Sequence, residues 1–367
     1  MNDVETLITL NQLPKVGPKR IRSLMAHFGS GLDLLNASPD QIAQVPQCGG
    51  EIAQIISNWE HSTHTQRELD ECDRLGIQIL TEDSPSWPSA LAQSPDAPVV
   101  LYVMGSLCPT ADAKPVAVIG SRKTTNYGRN STHQFSSHLA STGHTILSGL
   151  ALGIDTIAHQ AALQQQARTI AVIGSGLCHM YPRENIELAQ AIAQNGAVVS
   201  EYPLHTHPSK QTFPQRNRIV AQWASATLVT EMPERSGAMI TAQYARAAGR
   251  PVYAIPGPID RPSSAGCHLL IREGAHLVTH PQQISQDLSP QVAQLDLDLD
   301  APAPASPPPS LSPPETQVYS SLTSQEQSLE ELLLLTQLDV PTLSAALFHL
   351  EMQSLAKQHP GMTYTRA

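Results

Sequence analysis

The sequence predicts an α/β fold built on a doubly wound parallel sheet, with a small helical domain before it and another after it. Two observations predict the sheet. The runs VAVIG (116–120), HTILSG (144–149), TIAVIG (169–174), AVVSE (197–201), ATLVTE (226–231), PVYAIP (251–256) and HLVT (276–279) are short, rich in β-branched residues and apolar rather than alternating. Such runs belong to strands covered on both faces. Most are separated by helical patterns such as IDTIAHQAALQQQ (154–166) and SGAMITAQYARAAG (236–249), and strand–helix alternation generates a parallel sheet. A third observation concerns charge. Residues 115–285 hold 13 Lys and Arg against eight Asp and Glu, a net of +5, whereas the rest of the chain carries −15. An acidic protein has concentrated positive charge where loops leave strands, which is a place to hold phosphates.

Residues 1–60 are periodic and helical. The stretch LPKVGPKRIRSLMAHFGS (13–30) looks like a helix-hairpin-helix, with Val16-Gly17-Pro18 making the turn and Lys19, Arg20 and Arg22 following. Such a hairpin offers backbone N–H groups to phosphate. VPQCGGEIAQII (45–56) is a weaker copy without a basic residue. Four basic and six acidic residues in 1–60 argue against strong duplex binding. A weak nucleic-acid contact through Lys19 and Arg20, or a purely structural role, both fit. Residues 61–114 form a connecting segment expected to pack on the core, with a helix at 61–75, a strand at GIQIL (76–80) and a Pro-rich stretch up to Pro115.

Residues 115–285 form the core domain. In an open parallel sheet, ligands bind outside the carboxyl ends of the strands. There the chain places Gly120, Ser121 and Arg122, then Ser148 and Gly149, then Gly174, Ser175 and Gly176, then Glu201. The glycines make tight strand-to-helix turns in any case. Followed by Arg122, they also expose backbone N–H groups and a hydroxyl to an anion. A dinucleotide fingerprint is not met. The third run supplies Gly174 and Gly176 but has His179 where the third glycine belongs, and the ribose acid about 20 residues on is missing. Ser148, Asp155 and His159 invite a hydrolase reading, yet no G-x-S-x-G elbow is present. On position alone Asp155 reads better as a helix N-cap, and it can share a hydrogen bond with His159 four residues on.

The stretch SKQTFPQRNR (209–218) reads as a loop opening the helix IVAQWAS and sets Phe213, one of four Phe in the chain, among Lys210, Arg216 and Arg218. Cations beside an aromatic hold a sugar-phosphate backbone while a base stacks on the ring. Single-stranded nucleic acid fits this better than duplex, because no basic helix is offered to a major groove.

Residues 286–314 contain eight prolines and read as a semi-extended linker. The tail 315–367 resembles a winged helix. SLEELLLLTQ (328–337) precedes the turn, DVPTLSAALFHLEMQS (339–354) is the recognition helix capped by Asp339, and LAKQHPGMTYTR (355–366) forms the wing, turning at His359-Pro360-Gly361. Leu343, Leu347 and Leu350 are its core. The recognition helix has no Lys or Arg, and a helix meant for the major groove needs cations. The domain therefore reads as a protein-interaction module.

Five scattered cysteines without a C-x-x-C pair, and no H-E-x-x-H motif, argue against a metal site or a disulfide framework. The acidic start MNDVETLITL and the lack of an apolar run of about 18 residues point to a cytoplasmic protein with no membrane partner.

The ordered set VIGSR (118–122), SGLALGIDTIAH (148–159), TIAVIGSGLCHMYPREN (169–185), SEYP (200–203), FPQRNRI (213–219), SGAMIT (236–241), IPG (255–257) and GCHLLIREGA (266–275) closely resembles the DNA-processing protein A family, DprA, also called Smf. The resemblance implies an extended Rossmann fold and no cofactor or catalytic activity. It implies binding of single-stranded DNA in natural transformation, where the protein protects incoming strands and helps the recombinase RecA assemble on them. On that pattern Arg122 contacts phosphates, Arg183 and Lys210 line the same pocket, and Phe213, Arg216, Asn217 and Arg218 form its wall. Two alternatives stand beside it. One is a nucleotide-cleaving phosphoribohydrolase on a related core, although the place of its P-G-G-x-G-T signature reads MPERSGAMIT (232–241). The other is a duplex-binding scaffold. A homodimer is the commonest soluble assembly, and CHLLI (267–271) is a candidate contact surface that reads equally as core.

Overall fold

The computed structural model describes residues 1–92, 94–289, 311–323, 327–353, 355–359 and 362–366. They form two compact units, Met1–Gln291 and Val292–Ala367. Most of the expected linker and the Pro360-Gly361 turn lie outside the described residues.

The first unit is organised by a nine-stranded sheet: β1 (Gln78–Leu80), β2 (Leu101–Gly105), β3 (Pro115–Ile119), β4 (Thr145–Ser148), β5 (Thr169–Val172), β6 (Ala197–Ser200), β7 (Ala226–Val229), β8 (Val252–Ala254) and β9 (His276–Leu277). Its order is β1-β2-β6-β5-β4-β3-β7-β8-β9. The seven strands from β3 to β9 pair in parallel. The chain winds outward from β3 to β6, returns across the sheet, and winds the other way from β7 to β9. The reversal lies between β3 and β7, as in a Rossmann sheet. All seven apolar runs became strands. The sheet is nevertheless mixed, because β2 runs antiparallel to β6 and β1 antiparallel to β2.

Both faces are covered, which is why the strands need no polar alternation. Val116 and Val118 pack with Phe135, Leu139, Ile154 and Ala158 of the helices Asn126–Ser141 and Ile154–Gln164. On the other face, Ala117, Ile119 and Val172 pack with Ile219, Val220 and Trp223 of the helix Thr212–Trp223, and with Met239 and Ala242 of the helix Gly237–Ala247. The stretch 267–271 belongs to the helix Ala265–Arg272, and its Cys267 and Leu270 are buried in that same layer. Those two residues are therefore core rather than contact surface.

The N-terminal helices share their core with the sheet. Ile8, Leu24, Ile42 and Ile56 cluster with Tyr102, Ala171, Ile173 and Val198. Polar contacts add to this: Asn11 Nδ2 donates to Glu201 O at 2.8 Å, and Arg22 donates to Pro98 O and pairs with Glu82. The hairpin turn is present between the helices Asp3–Gln12 and Pro18–Phe28, but Arg22 serves packing.

The second unit has the winged-helix topology. The helices Pro313–Ser321, Leu329–Thr336 and Val340–Met352 accompany a three-stranded antiparallel sheet, in which β10 (Gln327–Ser328) falls between the first two helices and β11 (Ala356–His359) and β12 (Thr363–Arg366) follow the third. Leu343, Leu347 and Leu350 are buried with Val318 and Leu332. Asp339 occupies the N-cap position, but its side chain makes no capping bond. Leu334, Leu335, Phe348 and Met352 are exposed. Among the described residues no single helix is long and apolar enough to cross a membrane.

Candidate nucleic-acid interface

A cleft of about 580 Å³ opens at the carboxyl ends of β3, β4 and β7, where the sheet reverses direction. Its rim comes from Gly120, Ser121, Arg122 and Lys123 after β3, and Gly149 after β4. Phe213, Pro214, Arg216 and Asn217 line it from the start of the helix Thr212–Trp223, and Ser236 and Gly237 from the start of the next helix.

The loop after β3 is built to present its cation. Ser121 N donates to Glu231 O at 2.8 Å, and Ser121 Oγ to Lys123 O at 2.8 Å. The buried Glu231 carboxylate accepts from Thr125 N and Thr125 Oγ1 at 2.9 and 2.7 Å. Gly153, at φ +86°, lies against the backbone of Ser121 and Arg122, where a side chain has no room. The loop backbone is thus fixed, and the Arg122 side chain is free in solvent. Its guanidinium stands 5.5 Å from the centroid of the Phe213 ring. Tyr181 lies nearby, its ring centroid 5.8 Å from that of Phe213. A smaller hollow between Arg122, Tyr181, Pro182 and Phe213 adjoins the cleft.

Phe213 lies inside a helix, which corrects the expected loop. The helix starts at Thr212, so Phe213-Pro214 fall in its first turn. Proline is accepted there, since the N–H it lacks would have no helical partner. The turn before it is closed by Ser209 Oγ, which accepts from Thr212 N at 3.2 Å, and exposes Lys210. The helix Gly237–Ala247 also starts at the cleft, capped by Ser236. Two helix N-termini thus begin at one space, and the positive ends of both dipoles favour anions.

The cations of 209–218 part company. Arg216 is 5% exposed and lies beneath the cleft, donating to Gly149 O and Val172 O and, through Nε, to Asn217 Oδ1 at 3.0 Å. Burial pulls its pKa down to about 10, so it remains charged at neutral pH. Asn217 Nδ2 donates to Gly237 O at 3.3 Å, joining the two helix starts. Arg218 does not reach this cleft. It is buried in an ion pair with Glu201, and it borders a separate groove with Lys19 and Arg20. Glu201 is therefore a structural partner.

Ser148 is also internal: its hydroxyl donates to Val118 O at 2.6 Å and is fully buried. Gly174 lies beneath Phe213, where an added Cβ would sit 3.0 Å from the ring. Asp155 is not the N-cap, which is Gly153. It accepts from Gly149 N and Ala151 N, both at 3.2 Å. His159 is bonded to Thr169 Oγ1 at 2.7 Å rather than to Asp155, and burial drives its pKa down to about 3. No Ser–His–Asp relay exists in this geometry. Arg183 is exposed on the turn Arg183–Asn185, beside the Tyr181-Pro182 wall but outside the cleft lining. The sequence reading missed Tyr181 as a neighbour of Arg122 and Phe213. The aromatic in YPREN was the available signal.

Comparison with known proteins places this architecture. The family model for DNA recombination-mediator protein A matches residues 78–289, and the model for the DprA winged helix domain matches residues 302–362. Protein Smf of Synechocystis is 32% identical over 385 residues, 97% of each chain. DNA processing protein DprA of Streptococcus pneumoniae is 45% identical over 198 residues, 54% of this chain and 70% of that protein. The solved structure of Streptococcus pneumoniae DprA superposes with a TM-score of 0.69 at 33% identity, covering 78% of this chain and 98% of the other. DNA processing protein A from Helicobacter pylori, described for its single-stranded DNA binding mode, gives a TM-score of 0.53 at 31% identity, covering 58% and 95%. With its sheet domain and winged helix both matched, and a relative aligned along nearly its whole length, the chain belongs to the DNA recombination-mediator protein A family.

Proposed function

We propose that the chain binds single-stranded DNA in the cleft at the sheet reversal, and that it protects incoming strands and loads RecA onto them during natural transformation. The observation that carries the binding is the Arg122–Phe213 pair at the mouth of the cleft, flanked by two helix N-termini. A cation and an aromatic face side by side hold one phosphate and stack one base, which any sequence satisfies. The single-strand binding described for the Helicobacter pylori relative supports this reading. Arg122, Lys123, Arg183 and Lys210 are the exposed cations proposed to track the backbone, while Arg216 and Asn217 hold the floor in shape.

The reading is non-catalytic. The carboxylate lining the cleft, Asp155, is buried and engaged by two backbone amides, so no free carboxylate is offered to a nucleotide. We assign the winged helix to protein contact: its exposed Phe348 and Met352, on a helix with no Lys or Arg, suit a protein better than a phosphate backbone. A homodimer in the cytoplasm is the assembly and location that this role implies. Fluorescence anisotropy with labelled single-stranded, duplex and mononucleotide probes, with product analysis, tests the whole reading. Tight binding confined to the single strand without cleavage supports it. Preference for duplex, or release of a free base, would overturn it.

A further inference from the structure

Away from the cleft, three segments distant in sequence bring different metal-binding groups together. Glu71 comes from the helix Thr65–Leu75, Cys178 from the turn after β5, and His205 from the loop after β6. A carboxylate oxygen, the thiol sulfur and an imidazole nitrogen lie within 4.8 Å of one another. Glu71 Oε2 and His205 Nε2 are 2.8 Å apart. His179 and His207 stand alongside, their rings stacked at 4.0 Å, and the His179 and His205 ring centroids are 5.7 Å apart.

The backbone holds this arrangement independently of the side chains. Cys178 N donates to Leu204 O at 3.0 Å, and Gly176 N to Thr206 O at 2.8 Å, so the two loops are tied to each other. Leu204 N donates to Glu68 Oε1 at 2.7 Å, tying them to the helix that carries Glu71. Arg74 Nη2 donates to Glu71 Oε1 at 3.1 Å, leaving Oε2 for the cluster. Outer bonds of this kind orient metal ligands.

We propose that Glu71, Cys178 and His205 form a zinc site, with its fourth position beside the His179 ring. The donor set, one S, one N and one O, is what Zn²⁺ accepts in tetrahedral geometry. Two ligands at about 2.0 Å from a tetrahedral ion stand roughly 3.3 Å apart, so the Glu71–His205 bond has to open only slightly. Two imidazoles on one such ion have ring centres about 5 Å apart, close to the His179–His205 spacing. On binding, the Cys178 thiol releases its proton to solvent and its sulfur lone pair bonds the ion, while His205 Nε2 loses the proton it donates to Glu71 Oε2, either to solvent or by exchange to the tautomer protonated at Nδ1, and its freed lone pair bonds the ion. The ion would clamp the turn three residues before Tyr181 and the loop leading into the helix of Phe213, stiffening the cleft wall. The proposal does not rest on what that cleft binds.

The test uses the intact chain, stripped with a chelator and then titrated with Zn²⁺ or Co²⁺. One equivalent per chain is expected. Cobalt should give tetrahedral visible bands together with a near-ultraviolet thiolate charge-transfer band, and zinc should raise the thermal midpoint. Cys178→Ser should remove the thiolate band. Cys178→Ser and His205→Ala should each weaken zinc binding by about 100-fold or more, while Cys108→Ser behaves as wild type. Both substituted residues lie at the surface, and metal-free melting of the variants confirms their fold. Substoichiometric zinc, cobalt spectra without a thiolate band, or wild-type affinity in Cys178→Ser would each overturn the proposal.

Discussion

Arg122 and Arg218 carry the same charge and differ in everything that surrounds it. Arg122 is exposed over an aromatic ring, whereas Arg218 is 7% exposed and paired with the buried Glu201. Removing one partner of a buried pair leaves an uncompensated charge, at a cost of about 3–5 kcal/mol. Arg218→Ala should therefore lower stability by that order in urea unfolding while leaving the single-strand affinity of the folded fraction unchanged. Phe213→Ala should do the reverse. Losing one stacked base costs about 1–3 kcal/mol, roughly tenfold in affinity, with the salt slope kept because no phosphate contact is lost. Phe213→Trp should retain binding. A large loss of stability with unchanged affinity would instead make Phe213 core. His159 offers a pH test. Burial lowers its folded pKa to about 3 from 6.5, so the folded chain binds fewer protons than the unfolded one. Its stabilising contribution is complete above pH 6.5 and is lost as pH falls toward 3. In His159→Gln, the urea midpoint should decline less steeply below about pH 6. The sequence named Arg122, Phe213 and Asn217 as site residues, and in the structure they line one cleft. It could not separate them from Ser148 and Arg218, because a strand-end hydroxyl and a helix cation look alike until their direction is fixed.

The seven apolar runs were legible as strands because burial on both faces removes polar residues from them. β2 was missed for another reason: prolines on either side of LYVMG make it read as irregular, yet Pro98 and Pro109 lie outside the strand, so its ladders to β1 and β6 lose no donor. The helix Asn126–Ser141 was missed because its sequence, NYGRNSTHQFSSHLAS, buries only a narrow stripe, including Phe135, Ser136, Leu139 and Ala140. The start of the helix at Thr212 was concealed by Pro214, which suggests a break yet is tolerated within a first turn. The zinc candidate was invisible because its ligands come from residues 71, 178 and 205, so no local spacing reveals it. At this scale the winged helix is separable. A chain ending at Ser289 should retain most single-strand affinity, measured by anisotropy. Loss of binding by a folded chain of that length would move the interface to the winged helix.

The chain sets one basic segment, residues 115–285 at +5, against −15 for the remainder. The N-terminal helices are part of that domain's core, so deleting residues 1–60 should expose Ala171, Ile173 and Val198 and abolish cooperative unfolding rather than merely trim a DNA contact. The composition showed where the charge lay; only the fold shows that Arg122, Lys123 and Arg216 meet at a cleft at the sheet reversal. The claim that this cleft takes the phosphates of a single strand has a direct measurement, the salt dependence of oligonucleotide affinity in wild type and Arg122→Ala. Each phosphate neutralised on a single strand contributes a slope of about −0.7 in log affinity against log salt. The account predicts weaker binding by Arg122→Ala and a slope smaller in magnitude by roughly that amount. A variant with wild-type affinity and an unchanged slope would contradict it.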